Sequence, residues 1–310
     1  MELISINGEF EKEPEIQVNK YLKFLGISIG FISGLLIFTT QLNLSIWLFW
    51  SGFITAIISP IILHFCDKRI FIYPNKYINK YLGPIAVFNI YSLLLTLIIL
   101  NVIWALRWLA GPEVVVRSIY GVSEQDTNKM KRCGIDNPYV QKSVSCDFIL
   151  SSFLAHPIGI YLHCIGGVLA LGLGPFQLWK DFRKNHKQTH KIMGYFYIFG
   201  VIFGTIGAVL LIIRTTNGAG VASAFALLAF YWILTLSKAI LEIRKKRIEE
   251  HQIWMIRNYF MTFGAVPFRF VPLMFHSFGV NKFLAYDIGA WITIVLMVMT
   301  SEIYIRKIRD

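Results

Sequence analysis

The chain has 310 residues, 55% of them hydrophobic and only 15% charged, with a mean hydropathy of +0.58. A soluble domain carries roughly 25% charged residues, so a soluble globular class is excluded and a polytopic membrane protein is expected. The net charge of +12 does not point to nucleic acid, because Lys and Arg gather in short segments between hydrophobic runs, where the positive-inside rule accounts for them.

Residues 1–19 are polar and carry Glu2, Glu9, Glu11, Glu13 and Glu15. A signal peptide would need a basic start followed directly by an apolar core, so the first span is expected to remain in the mature protein. Stretches of about 20 apolar residues suffice to cross a bilayer, and eight occur, near 20–40, 46–65, 84–108, 152–178, 192–214, 218–240, 251–276 and 283–305. The second is the shortest. The expected fold is an all-α integral membrane protein of about eight transmembrane helices, with the lipid bilayer as its first partner. Its parts are an N-terminal segment (1–19), three helices (20–110), a loop (111–151), a four-helix core bundle (152–276) and a final helix with a basic tail (277–310).

Charge placement orients the chain. Lys12, Lys20 and Lys23 precede the first span, and Lys68, Arg69, Lys76 and Lys80 follow the second. Lys180, Arg183, Lys184, Lys187 and Lys191 follow the fourth, Arg244 to Arg247 follow the sixth, and Arg306, Lys307 and Arg309 end the chain. The alternate connections hold Arg214 and Lys282, plus five such residues in the long loop. Both termini are therefore expected in the cytoplasm, in a bacterial cytoplasmic membrane. The loop would then lie on the oxidising side, where Cys133 and Cys146 could pair as a disulfide or stay as free thiols. At about forty residues it is long enough to need structure of its own. Residues 66–83 mix Lys and Arg with Phe71, Tyr73, Tyr77 and Tyr81, a composition suited to the headgroup region.

Small residues recur in the fourth span as Gly159, Gly166, Ala170 and Gly174, and in the fifth as Gly200, Gly204 and Gly207. Such stripes let a neighbouring backbone or a flat cofactor approach closely. The seventh span, HQIWMIRNYFMTFGAVPFRFVPLMFH, is the most unusual. As one helix it would place Asn258, Thr262, Arg269 and His276 within roughly 20° of His251, forming a polar stripe that lipid cannot solvate.

From about residue 155 to 275 the chain resembles an uncharacterised family of predicted membrane proteins, domain-of-unknown-function family 2306. The resemblance rests on His163, the run Leu171 to Gln177, His190 with Gly194 and Tyr197, and His251 to Arg257 followed by Arg269. It implies no agreed activity, only that His163, His190, His251, Arg257 and Arg269 belong to a shared pattern.

His190 opens the fifth span and His251 the seventh, so in an antiparallel four-helix bundle they face one another diagonally at matched depth. Membrane b-type cytochromes hold haem in this way, and the leading expectation is a haem b electron-transfer protein, a membrane oxidoreductase if it is an enzyme. His190 and His251 would ligate the iron. His163, Asn258 and Arg269 complete the candidate cofactor set, with Arg269 facing a haem propionate, a quinone or a small anionic substrate. The competing expectation is a carrier that uses the polar stripe as its pathway. A third is a zinc hydrolase, for which His163 lies about 15 Å too deep to join the other two histidines.

Overall fold

The computed structural model describes residues 20–39, 46–70, 84–133, 153–154, 157–213 and 219–309. No strand occurs among them. The chain divides into two compact units, Met1–Thr39 with Ser45–Thr96, and Thr40–Leu44 with Leu97–Asp310. The division falls inside the third helix.

The first unit contains α1 (Lys20–Phe38), α2 (Ile46–Ile70) and the start of α3 (Pro84–Arg107). Its apolar helices are fastened by buried polar groups. Asn89 Nδ2 donates to Gly26 O at 3.0 Å, Ser59 Oγ donates to Asn89 Oδ1 at 3.1 Å, and Ser92 Oγ donates to Ile27 O at 2.8 Å. In hydrocarbon such bonds leave no polar group for lipid to meet, which is how transmembrane helices are held in register. The short second span is a helix of 25 residues.

In the second unit α3 ends in a 3₁₀ turn, Trp108–Ala110, and the long loop begins with two helices, α4 (Pro112–Tyr120) and α5 (Glu124–Cys133). The expected local structure of this loop is thus present in its first half. Pro112 sits at the first position of α4, where its missing N–H costs no helical bond. Val115 and Val116 bury the apolar face of α4 against Trp108, Ile160 and Cys164. Ser123 starts α5, its Oγ accepting the Asp126 N–H at 3.1 Å. The Cys133–Cys146 pairing and most of the aromatic and basic segment 66–83 lie outside the described residues.

Beyond the loop come α6 (Pro157–Leu178), the short α7 (Lys180–Asn185), α8 (Lys187–Ile213), α9 (Ala219–Arg244), α10 (Ile248–Phe263), α11 (Pro267–Ser277) and α12 (Lys282–Arg309). α6 packs on α8, α8 on α9, α9 on α10 and α10 back on α6, so the ring places α8 and α10 diagonally. The α6–α8 seam is made by glycine. A Cβ at Gly166 would collide with the backbone of Gly200 and Gly204, and one at Gly207 with the backbone of His163. The glycine stripes are therefore helix-packing seams, with neighbouring backbone where a flat cofactor would have to lie. α12, which the sequence set apart from the bundle, packs against α9, α10 and α11.

The seventh span is not one helix, which corrects the expectation of a continuous polar stripe. α10 stops at Phe263, residues 264–266 form a turn, and α11 restarts at Pro267. Pro267 has no N–H for the Phe263 carbonyl, which is taken instead by the Val266 N–H at 2.9 Å, while Ala265 N–H bonds Thr262 O at 3.3 Å. These three-residue bonds wind the chain more tightly than an α-helix, so a single helical register no longer carries from His251 to Arg269 and His276. Pro272 by contrast stays within α11, packed where a Cβ at Gly289 would be 2.6 Å from its Cγ.

Six described helices are long and apolar enough to cross a membrane, α2, α3, α6, α8, α9 and α12. The remaining two expected spans are α1, whose described apolar part runs Phe24–Phe38, and the broken pair α10 and α11. The protein is an all-α, multi-pass membrane protein in contact with lipid.

Candidate functional site

Midway along the bundle the ring is closed by a buried polar cluster. Tyr197 on α8 and Asn258 on α10 are both fully buried. Tyr197 Oη donates to Asn258 Oδ1 at 2.7 Å, and Asn258 Nδ2 donates to Trp232 O at 2.6 Å and Thr235 Oγ1 at 2.8 Å on α9. Trp232 Nε1 donates to Thr262 Oγ1 at 2.8 Å, which itself donates to Asn258 O at 3.1 Å. Tyr259 adds α6 by donating to Leu171 O at 3.3 Å, its ring lying where a Cβ on Gly174 would be. All the side-chain polar atoms of Asn258 are engaged. The residue proposed from sequence as a cofactor contact thus acts here as the centre of a four-helix latch.

Two turns away, about 10 Å by helical rise, the end of the bundle bearing the basic connections looks different. His190 lies in the first turn of α8 and His251 in the first turn of α10, and each is within electrostatic reach of the other. His251 Nδ1 is 2.9 Å from Ala239 O on α9. A carbonyl oxygen can only accept, so Nδ1 carries the proton and Nε2 of the neutral ring keeps its lone pair, the arrangement typical of metal-ligating histidines. His190 Nδ1 is buried with no hydrogen-bond partner, and so is Nε2 of Gln177, on the last turn of α6. A Cβ on Gly194, one turn inward from His190, would meet Gln177 Oε1 at 3.4 Å, an ordinary contact. Arg183 on α7 also reaches His190. Desolvation lowers its pKa below the usual arginine value, the Tyr304 phenol opposing the shift. Beside it Phe176 and Trp179, both exposed, flank Phe182, at centroid distances of 5.9 and 6.3 Å. Sequence reasoning treated Arg183 as a loop charge and Gln177 as part of a motif. The signal that could have found them is a Gln closing an apolar span six residues before an Arg.

The other candidates lie apart from this pair. His163 is deeper in α6, with Nδ1–H donating to Gly204 O at 3.2 Å. Arg269 on α11 is within electrostatic reach of His163 and Cys164. His276 is exposed, its Nδ1–H donating to Val280 O at 3.1 Å. Arg257 makes two bonds to Glu302 on α12, Nε–Oε1 at 2.6 Å and Nη2–Oε2 at 3.1 Å, and stacks 4.5 Å over Trp254. It ties α10 to α12. Among the described residues no three His, Cys, Asp or Glu side chains gather as a metal-binding group.

The fold thus defines a multi-pass helical membrane bundle with a hydrogen-bonded polar latch and, at its basic end, two unpartnered buried nitrogens. Residues 160–305 match the family described as predicted membrane protein (DUF2306), from α6 into the last turns of α12. The similarity reaches further than the 155–275 read from sequence, and takes in the helix that completes the packing around α10. No curated protein and no solved structure matches the chain.

Proposed function

We propose that the second unit is a membrane electron-transfer module in which His190 and His251 are the two axial ligands of one haem b, at the end of the bundle that charge placement assigns to the cytoplasm. The carrying observation is the pairing itself. Two histidines open diagonally opposed helices within reach of each other, and a backbone carbonyl fixes one in the tautomer that leaves Nε2 free. Haem would supply one-electron chemistry, and the protein would supply two neutral imidazoles, a lipid-facing wall that excludes water, and a rigid floor at the latch. His163 and Arg269 would lie deeper, as a second polar step in the bundle rather than as ligands.

A carrier pathway along the seventh span has less support. The stripe is interrupted at 264–266, and Asn258 and Thr262 are committed to the latch. The test is an absorbance spectrum of the full-length protein purified from haem-replete cells. A reducible low-spin b-type Soret band is expected. Colourless protein that takes up no haemin would end this reading.

A further inference from the structure

Gln177, His190 and Arg183 converge where α6 ends, α7 crosses and α8 begins. Among the described residues seven buried side-chain polar atoms lack a partner, and two of them, Gln177 Nε2 and His190 Nδ1, lie at this end of the bundle. Gln177 is 6% exposed, so water does not supply the missing bond. Leaving a buried donor unpaired is costly, and two such nitrogens lie at the helix ends that flank the α7 helix carrying Arg183. Arg183 is within electrostatic reach of the Tyr304 phenol and of His190, and no carboxylate among the described residues forms an ion pair with it.

The donor set fixes the chemistry of what fits. An amide nitrogen and a guanidinium can only donate, and His190 Nδ1 also donates whenever Nε2 is engaged elsewhere. Three donors with a net positive charge call for an acceptor that is itself negative. We propose that Gln177, Arg183 and His190 form an oxyanion subsite for a carboxylate or phosphate group, with Arg183 supplying charge and Gln177 supplying direction. The carboxylate edge of a bound haem and the phosphate of an anionic lipid offer the same chemistry. Phe176 and Trp179, on either side of Gln177 in the chain, are exposed. The subsite does not require the iron-ligand assignment to be right.

The full-length protein, reconstituted in phosphatidylcholine nanodiscs with or without phosphatidylglycerol, is titrated with haemin, with haemin dimethyl ester and with inorganic phosphate. Thermal melting is read throughout, and Soret absorbance for the haem arms. A preference for haemin over its diester that falls about tenfold in Arg183→Ala and Gln177→Ala, and is partly kept in Arg183→Lys, assigns the subsite to the haem carboxylate. Stabilisation by phosphatidylglycerol or phosphate that depends on the same residues assigns it to lipid or to a free anion, and if haemin then fails to bind, the haem reading falls while the subsite stands. Equal binding of haemin and diester with no response to phosphatidylglycerol or phosphate overturns the subsite, as does any response unchanged in both alanine variants. Arg183→Gln, checked by size exclusion, separates loss of binding from loss of fold.

Discussion

Two polar regions of one bundle lie about two helical turns apart and are built on opposite terms. In the latch, Tyr197, Trp232, Thr235, Asn258 and Thr262 bond one another across three helices until every side-chain polar atom has a partner. At the basic end, His190 Nδ1 and Gln177 Nε2 are buried and unpaired, and no carboxylate among the described residues pairs with Arg183. A fully satisfied network rigidifies and specifies a fold, while an unsatisfied one is a cost that persists when it serves a function. The latch therefore aligns α8 and α10 so that the residues one or two turns further on meet at a fixed separation.

The comparison breaks most visibly at the histidines. If both bind one iron, His190→Ala and His251→Ala should each abolish the low-spin spectrum, and the double variant should add nothing, because the first loss already dismantles the site. Melting temperatures of the apo forms should hardly change. Low-spin absorbance surviving the double substitution would place the ligands elsewhere.

The latch should respond in the opposite sense. Asn258→Ala removes the acceptor of Tyr197 and both donors to α9. Hydrogen bonds between transmembrane helices average about 0.6 kcal/mol, but here three are lost together and the buried Tyr197 phenol keeps only its 3.2 Å contact with Thr262 Oγ1. We expect a loss of about 2–3 kcal/mol in a reversible unfolding assay, with coupling to Tyr197→Phe in a double-mutant cycle. Gln177→Leu sharpens the contrast from the other side. Replacing an unpaired buried amide by a similar apolar volume should stabilise the apo protein by about 1 kcal/mol while weakening ligand binding. A destabilised Gln177→Leu protein would mean that the amide has a structural partner.

Much of this fold could be read from the residues, because a membrane helix needs only a long apolar run, and those near 46–65 and 283–305 suffice to find α2 and α12. The diagonal relation of His190 and His251 was also legible, following from four sequential antiparallel helices. The break at 264–266 was not, although Gly264 and Pro267 signal it, because hydrophobicity runs unchanged through a turn whose cause is one absent N–H. The latch was half legible. Asn258 and Thr262 declared a polar face, but their partners on α8 and α9 depend on helix register, which glycine seams such as Gly166 against Gly204 set in three dimensions. The partner of Arg257 was hidden for a related reason, since Glu302 is 45 residues away on the final helix.

That ion pair yields the next smaller effect. Its geometry is bidentate, but the Glu302 side chain is 39% exposed, so solvent screening removes much of the Coulombic gain. Arg257→Ala and Glu302→Gln should each cost about 1 kcal/mol and should be strongly non-additive. Full additivity would show that the α10–α12 contact is carried by Trp254 and the apolar seam, with the ion pair incidental.

The smallest effect is expected at His276, and it tests whether position or residue type defines the site. His276 resembles His251 in one respect, a ring Nδ1–H donating to a backbone carbonyl, here Val280 O at 3.1 Å. It differs in being exposed near the end of α11, beyond the break at 264–266, and its carbonyl partner is a local one four residues away. A local bond in a wet environment is readily replaced by water. His276→Ala should therefore change stability by less than about 0.5 kcal/mol and leave haemin binding unaltered. Should this variant lose the haem spectrum while His251→Ala keeps it, the functional centre would belong to the opposite end of the bundle, and the unpaired donors around His190 would need another explanation.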